Sequence, residues 1–123
     1  MSRIRAANTL PELTVRRLVH AMGSRFRLHV KTLPGRPDLV LARLRKIILV
    51  HGCFWHSHEG CKETHMPKTR QDYWRPKLEG NRRRDLENTA KLRQLGWKVL
   101  VVWECETAKE KSLVKRLRRF LDS

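Results

Sequence analysis

Hydrophobic positions near the start of the chain follow a helical period. Apolar residues recur at helical spacing after the stretch Thr9-Leu-Pro-Glu12. Thr9 is a candidate N-cap, the proline falls in the first turn, and Glu12 occupies the capping-box position. Gly23 follows the last apolar residue of this pattern and is expected to end the helix.

Three stretches that follow have the pattern of β-strands. FRLHV (26–30) alternates apolar and polar side chains, and the turn TLPGRP (32–37) comes after it, since prolines and a glycine oppose regular structure. DLVLA (38–42) and KIILV (46–50) are rich in residues that favour strands and are separated by a short basic turn, which predicts an antiparallel hairpin. The second of these runs is apolar on both faces, so we expect it to be central in the sheet.

The second half of the chain predicts two helices with a strand between them. Helical spacing of apolar residues extends from about 81 to 95, and Gly96 provides the C-terminal cap. WKVLVVWE (97–104) predicts another buried, central strand, and a last helix is expected from about 107 to 121. The predicted order is α-β-β-β-α-β-α, which indicates an α/β fold with a mixed sheet flanked by helices.

The charge balance favours a polyanionic partner. The chain has 28 Lys and Arg residues against 12 Asp and Glu residues, a formal net charge of +16 at pH 7. Nucleic acid is the usual partner of so basic a domain, the alternatives being an anionic membrane surface or a basic protein without such a partner. A membrane-binding helix would concentrate the charge, whereas here it is spread along the whole chain. We therefore expect binding to nucleic acid and not to a membrane.

Length and hydrophobic content limit the architecture and the cellular location. With 123 residues, 40% of them hydrophobic, the chain is expected to form one domain, residues 1–123. Apolar runs fall short of the roughly 20 residues of a membrane-spanning helix. The N-terminal residues lack the apolar block of a secretion signal. These features predict a cytoplasmic protein, associated with the bacterial nucleoid if its partner is DNA.

The stretch HGCFWHSHEGC (51–61) has the residue types of a metal site. Cys53, Cys61 and Cys105 cannot all pair with one another, and nothing indicates export, so a disulfide scaffold is not expected. Together with one histidine, the three cysteines would form a tetrahedral set of the kind that holds a structural Zn²⁺. Spacing alone leaves open whether His56 or His58 is the ligand. The alternative is that the cysteines are small buried hydrophobic residues.

Residues of a hydrolytic site are predicted at one edge of the same sheet. The hairpin brings Asp38 close to the end of its partner strand, at Val50 and His51. Asp38 and a backbone carbonyl are suitable ligands for Mg²⁺, and His56 or His51 can act as general acid or base in phosphodiester hydrolysis. The alternative for Asp38 is a turn-capping role, and Glu12 has its capping-box role.

The aromatic residues divide into two groups by context. Phe54 and Trp55 lie in a polar stretch and Trp74 lies among basic residues, as is typical of side chains that stack on bases or intercalate. Trp97 and Trp103 belong to an apolar strand and are expected in the core.

Four stretches closely resemble the very short patch repair (Vsr) endonucleases. They are LPGRPDLV, ILVHGCFWHSHEGC, MPKTRQDYWRPKLEGNRRRD and LGWKVLVVWEC, and they occur in this order across nearly the whole chain. Members of this bacterial family nick the thymine strand of T:G mismatches that arise from deamination of 5-methylcytosine. The resemblance implies a restriction-endonuclease-like core and a nicking reaction 5′ to the mismatched thymine.

The resemblance also assigns roles to individual residues. Asp38 and the carbonyl of Val50 would bind Mg²⁺, and His56 would be catalytic with help from His51 and Glu12. The implied zinc ligands are Cys53, His58, Cys61 and Cys105. The implied DNA-binding residues are Phe54, Trp55, Trp74, Asn81 and Ile4.

The chain departs from the family pattern at three places. Two residues, not one, separate His58 from Cys61, and Val50 replaces a threonine. The chain begins roughly where relatives have an upstream basic arm, so we expect a short arm at about 1–8 that retains Ile4.

The resemblance implies a monomer that acts on double-stranded DNA, with mismatch-repair proteins and DNA polymerase I as partners. Two alternatives are the same nuclease core acting on DNA without a mismatch, and a catalytically inactive zinc-bound DNA-binding module.

Overall fold

The computed structural model describes residues 9–53, 56, 58 and 69–123, and within them the element order is α-β-β-β-α-β-α, as predicted. Two short 3-10 turns, Ala42–Leu44 and Glu104–Ala108, follow the second and the fourth strand. The elements are α1 (Leu10–Ala21), β1 (Arg27–Leu28), β2 (Leu39–Leu41), β3 (Lys46–His51), α2 (Gln71–Gln94), β4 (Lys98–Trp103) and α3 (Glu110–Leu121). Ile4, Phe54, Trp55 and Cys61, to which the sequence assigns roles, lie outside the described residues.

The four strands form one mixed sheet in the order β1-β2-β3-β4. β2 and β3 form the predicted antiparallel hairpin, with Leu39 opposite Ile48, and β3 is central as expected. β4 pairs in parallel with β3, so that Trp103 lies opposite His51. The prediction that β4 is also central is wrong, because in the described part of the chain it lies at the edge of the sheet. The residues of β4 are apolar because helices cover both faces of the strand.

Helices cover both faces of the sheet and create two apolar layers. One layer lies between the sheet and helices α1 and α3, and its buried residues are Val15, Leu18, Val19, Leu39, Leu41, Ile48, Val102, Leu113 and Leu117. The other lies between the sheet and α2, and its buried residues are Val40, Ile47, Leu49 and Leu92. The protein is therefore a three-layer α/β structure.

The helix caps agree with the sequence. The Thr9 side chain accepts a hydrogen bond from the backbone N–H of Glu12 at 3.4 Å, which fixes the start of α1. Gly23 and Gly96 follow α1 and α2 at φ +82° and +94°. In each case backbone N–H groups of the glycine and of the next residue bond back to carbonyls of the last helical turn, which is a Schellman motif.

The helix starts are less accurately predicted. α2 begins at Gln71, ten residues before the predicted start, and so it includes Pro76 and Gly80, two residues that oppose helix formation. A proline in the second turn removes only one hydrogen bond near an end that is exposed to solvent. α3 begins at Glu110 and not near 107, since a 3-10 turn occupies the preceding residues. In the described part of the chain, no helix has the length and hydrophobicity needed to cross a membrane.

Candidate active site

The Asp38 carboxylate lies against the end of the central strand. Asp38 immediately precedes β2, and its Oδ2 accepts a hydrogen bond from the backbone N–H of Val50 in β3 at 2.7 Å. The turn before it packs closely against α2: a Cβ atom added to Gly35 would lie only 2.9 Å from Nδ2 of Asn88. Gly35 also has φ +75°, a value that favours glycine. The hairpin therefore brings Asp38 and Val50 together, as the sequence predicts.

Burial destabilises the charged form of the Asp38 carboxylate. Desolvation raises the pKa of Asp38 to about 6 from its ordinary value of 3.8. The Val50 N–H and the neighbouring histidines His29 and His56 lower this pKa, whereas the carboxylate of Glu12 raises it. At neutral pH the carboxylate is ionised at a site where burial opposes the charge, so a bound cation would be stabilised there.

Glu12 provides a second carboxylate at the same place. Only 3% of Glu12 is exposed, and its Oε2 lies 3.0 Å from Nε2 of His29 and 3.0 Å from Nη2 of Arg16. The backbone of Glu12 takes part in the predicted cap, while its carboxylate is directed into the site. Glu12, His29 and Asp38 each place one potential ligand atom within 4.8 Å of the others. Sequence analysis missed His29, which has no distinctive motif around it.

Two histidines and an aspartate form a second cluster beside the first. The rings of His51 and His56 stack in parallel, with centroids 4.0 Å apart and an interplanar angle of 7°. Nδ1 of His56 makes a short hydrogen bond to Oδ2 of Asp85 in α2. With the Asp85 carboxylate as acceptor, Nδ1 of His56 donates the hydrogen bond, which leaves Nε2 as the ring nitrogen that can take a proton. His56 and Asp85 each have 25% of the side chain exposed, which leaves them accessible to a substrate.

His51 is neutral at physiological pH. Burial, followed by the nearby His56, lowers the pKa of His51 to about 4 from its ordinary value of 6.5. His51 is 8% exposed, and its ring also contacts the edge of Trp103, with centroids 5.2 Å apart. A neutral, packed imidazole of this kind holds the ring of His56 in place without repelling a cation nearby.

A third cluster has the geometry of a thiolate metal centre. Nδ1 of His58 lies 3.6 Å from Sγ of Cys53 and 3.6 Å from Sγ of Cys105. A zinc ion about 2.3 Å from a thiolate sulfur and about 2.1 Å from an imidazole nitrogen holds these atoms about 3.6 Å apart at a tetrahedral angle. The three described residues therefore fit zinc, and the histidine beside the sulfurs is His58. Cys53 is fully buried, and its N–H donates to Oε1 of Glu104 at 3.3 Å.

Trp103 lies between the histidine clusters, so the expectation that it belongs to the core is wrong. Its ring stacks on His58 with centroids 4.0 Å apart and an interplanar angle of 7°. It also presents an edge contact to His51 and to His56. Trp97, by contrast, is a partly buried residue that packs on the α2 side of the sheet, with the Arg45 guanidinium 4.3 Å from its ring centroid.

One face of α2 connects the site with a basic surface. Trp74, Asn81 and Asp85 are spaced by seven and four residues, so they lie on one side of the helix. Asp85 contacts His56, which places this side of α2 toward the histidine cluster. Exposed basic side chains flank it on α2, namely Arg75, Lys77, Arg82, Arg83 and Arg84. Asp85 was missed by sequence analysis because a single carboxylate among arginines resembles a solvated helix surface.

Comparison with known proteins identifies the family of the chain. A family model described as DNA mismatch endonuclease Vsr matches residues 1–63. The chain is 52% identical over 122 residues to the type II nicking enzyme V.XorIIP of Xanthomonas oryzae pv. oryzae, an alignment that covers 99% of this chain and 89% of that protein. It is 37% identical over 126 residues to the DNA mismatch endonuclease Vsr of Escherichia coli, covering 98% and 80%. The resemblance seen in the sequence is thereby confirmed, and the chain belongs to the Vsr family of DNA mismatch endonucleases.

Proposed function

We propose that this endodeoxyribonuclease nicks DNA 5′ to the thymine of T:G mismatches, with Mg²⁺ as its catalytic cofactor. The observation that supports this best is the position of the buried Asp38 carboxylate beside Val50, next to the His56–Asp85 pair. A cation site and a proton-transfer group then lie together under a basic helix. Two relatives, a DNA mismatch endonuclease and a nicking enzyme by name, fit the proposal.

Each site residue has a proposed role in the hydrolysis. Asp38 and the Val50 carbonyl would hold Mg²⁺, which would supply positive charge to offset the charge that develops on the phosphate. His56 accepts a proton from the attacking water at Nε2, while Asp85 holds Nδ1 and fixes the tautomer. His51 orients the His56 ring by stacking, and Glu12 assists at the cation site. The products are a 3′-hydroxyl and a 5′-phosphate.

The thiolate cluster has a proposed structural role. Cys53, His58, Cys61 and Cys105 hold Zn²⁺ as a closed four-ligand site, which would fasten the segment after β3 to the segment after β4. Three of these residues already have the required spacing. Because His58 stacks on Trp103, this attachment also supports the rings of His51 and His56.

DNA recognition is proposed to involve aromatic and polar residues around the site. Phe54, Trp55 and Trp74 insert beside the mismatch, and Asn81 and Ile4 contact the duplex. We further propose a restriction-endonuclease-like core in a single domain of residues 1–123 that acts as a monomer in the bacterial cytoplasm, near the nucleoid. Mismatch-repair proteins and DNA polymerase I are the proposed partners.

The decisive experiment measures nicking of end-labelled duplexes. Duplexes with a T:G mismatch in several sequence contexts are compared with matched duplexes, with and without Mg²⁺. We expect a nick on the thymine strand that requires both the mismatch and Mg²⁺, and we expect Asp38→Ala and His56→Ala to abolish it while the protein remains folded. His20→Ala is the matched control, since His20 is exposed in the last turn of α1.

Other outcomes would point to the alternatives. Equal nicking of matched and mismatched duplexes would favour the same core acting on a different DNA substrate. DNA binding without any nicking would favour the inactive zinc-bound module. Near wild-type cleavage by the Asp38 or His56 variant would show that the active site is assigned incorrectly.

A further inference from the structure

The backbone at His29 adopts a conformation that few residues other than glycine favour. His29 follows β1 at φ +46°, in the left-handed region, where histidine is nevertheless found more often than most residues. Its backbone N–H donates to the carbonyl of Asp38 at 3.2 Å, which ties it to the residue that begins β2. The strained backbone places the imidazole next to the two carboxylates of the site.

The side chain of His29 directs a nitrogen at the cation site. Its Nε2 lies 3.0 Å from Oε2 of Glu12, and one ligand atom from each of Glu12, His29 and Asp38 lies within 4.8 Å of the other two. Two ligand atoms on opposite sides of a small divalent cation lie about 4.2–4.4 Å apart, given metal–ligand distances of about 2.1–2.2 Å. A small rotation of the side chains would therefore bring all three atoms to one ion.

Arg16 supplies positive charge at the same oxygen in the described arrangement. Its Nη2 lies 3.0 Å from Oε2 of Glu12 and 3.5 Å from Nε2 of His29. Glu12 and His29 contact it, Asp38 lies beside these two residues, and of these four residues Arg16 alone carries a permanent positive charge. A divalent cation that enters would replace the guanidinium at the Glu12 oxygen. Its two positive charges would neutralise the carboxylates of Glu12 and Asp38 more fully than the single charge of Arg16 does.

We propose that His29 is a third side-chain ligand, with Asp38 and Glu12, of the divalent cation, and that this nitrogen ligand makes the site bind Mn²⁺ more tightly than Mg²⁺. The inference rests on the proposed function, in which Asp38 binds the catalytic cation. Mg²⁺ is a hard cation that prefers oxygen ligands and gives up its water reluctantly. First-row transition metals accept imidazole readily, and a set of two carboxylates and one imidazole suits them.

The inference is tested by direct measurement of Mn²⁺ binding. Electron paramagnetic resonance measures the concentration of free Mn²⁺ while the full chain, with metal bound at the cysteine cluster, is titrated. Competition with Mg²⁺ then gives the dissociation constant for Mg²⁺. We expect His29→Gln to raise the Kd for Mn²⁺ about tenfold or more, as loss of a metal-supporting residue typically does, and to raise the Kd for Mg²⁺ much less. His29→Asn is a second variant, because asparagine tolerates the left-handed backbone.

Two controls tie the effect to this site. His20→Gln changes an exposed histidine of α1 and is expected to leave both dissociation constants as in the wild type. Asp38→Asn is expected to abolish the same binding event. The nitrogen coupling in the spectrum of bound Mn²⁺ is expected in the wild type and is expected to weaken in both His29 variants.

The possible results separate clearly. Equal losses of Mn²⁺ and Mg²⁺ affinity in His29→Gln would mean that His29 only orients Glu12. Unchanged affinities would mean that His29 does not act at the cation at all. Either result overturns the inference. Nicking of T:G duplexes is measured separately. If Mn²⁺ binding depends on His29 and Asp38 but no duplex is nicked with either cation, the cation ligand stands and the proposed function fails.

Discussion

Removing the buried charge of Asp38 is expected to stabilise the protein when no divalent cation is present. Burial raises the pKa of Asp38 to about 6, whereas the unfolded chain has the ordinary value of 3.8. Between these two values the folded protein binds more protons than the unfolded chain, so stability decreases as pH rises through this range and stays reduced above it. The difference of about 2 pKa units corresponds to about 3 kcal/mol at neutral pH.

Asp38→Asn removes this destabilisation and keeps the local geometry. The amide oxygen of asparagine can still accept the hydrogen bond from the Val50 N–H, which is 2.7 Å long in the wild type. We expect the variant to have a free energy of unfolding about 3 kcal/mol higher than the wild type at pH 8, and the difference to shrink toward pH 4. Added Mg²⁺ or Mn²⁺ is expected to stabilise the wild type and to narrow the gap, because the cation binds the folded, charged form.

Urea denaturation at a series of pH values measures these differences. The buffers contain no added divalent cation and no chelator, so that a metal bound by the cysteines is retained. Asp72→Asn is the matched control, since Asp72 is an exposed carboxylate in the first turn of α2 and its neutralisation should change stability by well under 1 kcal/mol. The lowered pKa of His51 destabilises the fold as pH falls from 6.5 toward 4, but this effect is common to both proteins and cancels. An asparagine variant that is less stable than the wild type at pH 8, or a difference that does not depend on pH, would refute the buried-charge argument.

Three further predictions concern the histidine and thiolate clusters. Asp85→Asn is expected to lower kcat for nicking about a hundredfold or more with little change in KM for DNA, because an amide can donate to Nδ1 of His56 and so no longer fixes the tautomer that leaves Nε2 free; a comparable rise in KM would indicate a DNA contact instead. Trp103→Leu is expected to lower kcat while bound zinc, measured by elemental analysis, stays the same. Trp97→Leu, just before the same strand, should affect stability and leave kcat near the wild-type value. Cys105→Ala is expected to lower the melting temperature strongly and to release metal, because metal binding at such a site contributes directly to folding; purified wild-type protein without zinc would contradict this.

Local patterns in the sequence predict most elements of the fold and the pairing of Asp38 with Val50 in the candidate site. The cap at Thr9 and the hairpin follow from neighbouring residues, and the hairpin alone brings Asp38 to Val50. The edge position of β4 could not be predicted, because a strand covered by helices on both faces is apolar whether or not another strand lies beside it. The early start of α2 was missed because Pro76 normally interrupts a helix, while its position near the exposed end makes it tolerable here.

Residues that join the site only through tertiary packing were missed for a different reason. Asp85 lies 29 residues from His56, and no local pattern distinguishes it from an exposed helix residue. His29 reaches Glu12 across 17 residues, from a backbone conformation that its sequence context does not reveal. Trp103 was assigned to the core because it ends an apolar strand, yet the same alternation that buries the preceding residues directs its ring at the histidines.

The parallel pairing of β3 with β4 explains why these clusters adjoin. Parallel strands end at the same edge of a sheet, so the pair of His51 and Trp103 brings the residues after each strand together, including Cys53 and Cys105. A metal held by these cysteines would fasten two segments about 50 residues apart at this edge. That edge contains a buried carboxylate with a raised pKa and a strained His29 backbone, both of which reduce stability. A metal bound at the thiolate cluster would therefore offset the cost of the proposed catalytic arrangement, and its loss should disturb the histidines before it unfolds the sheet.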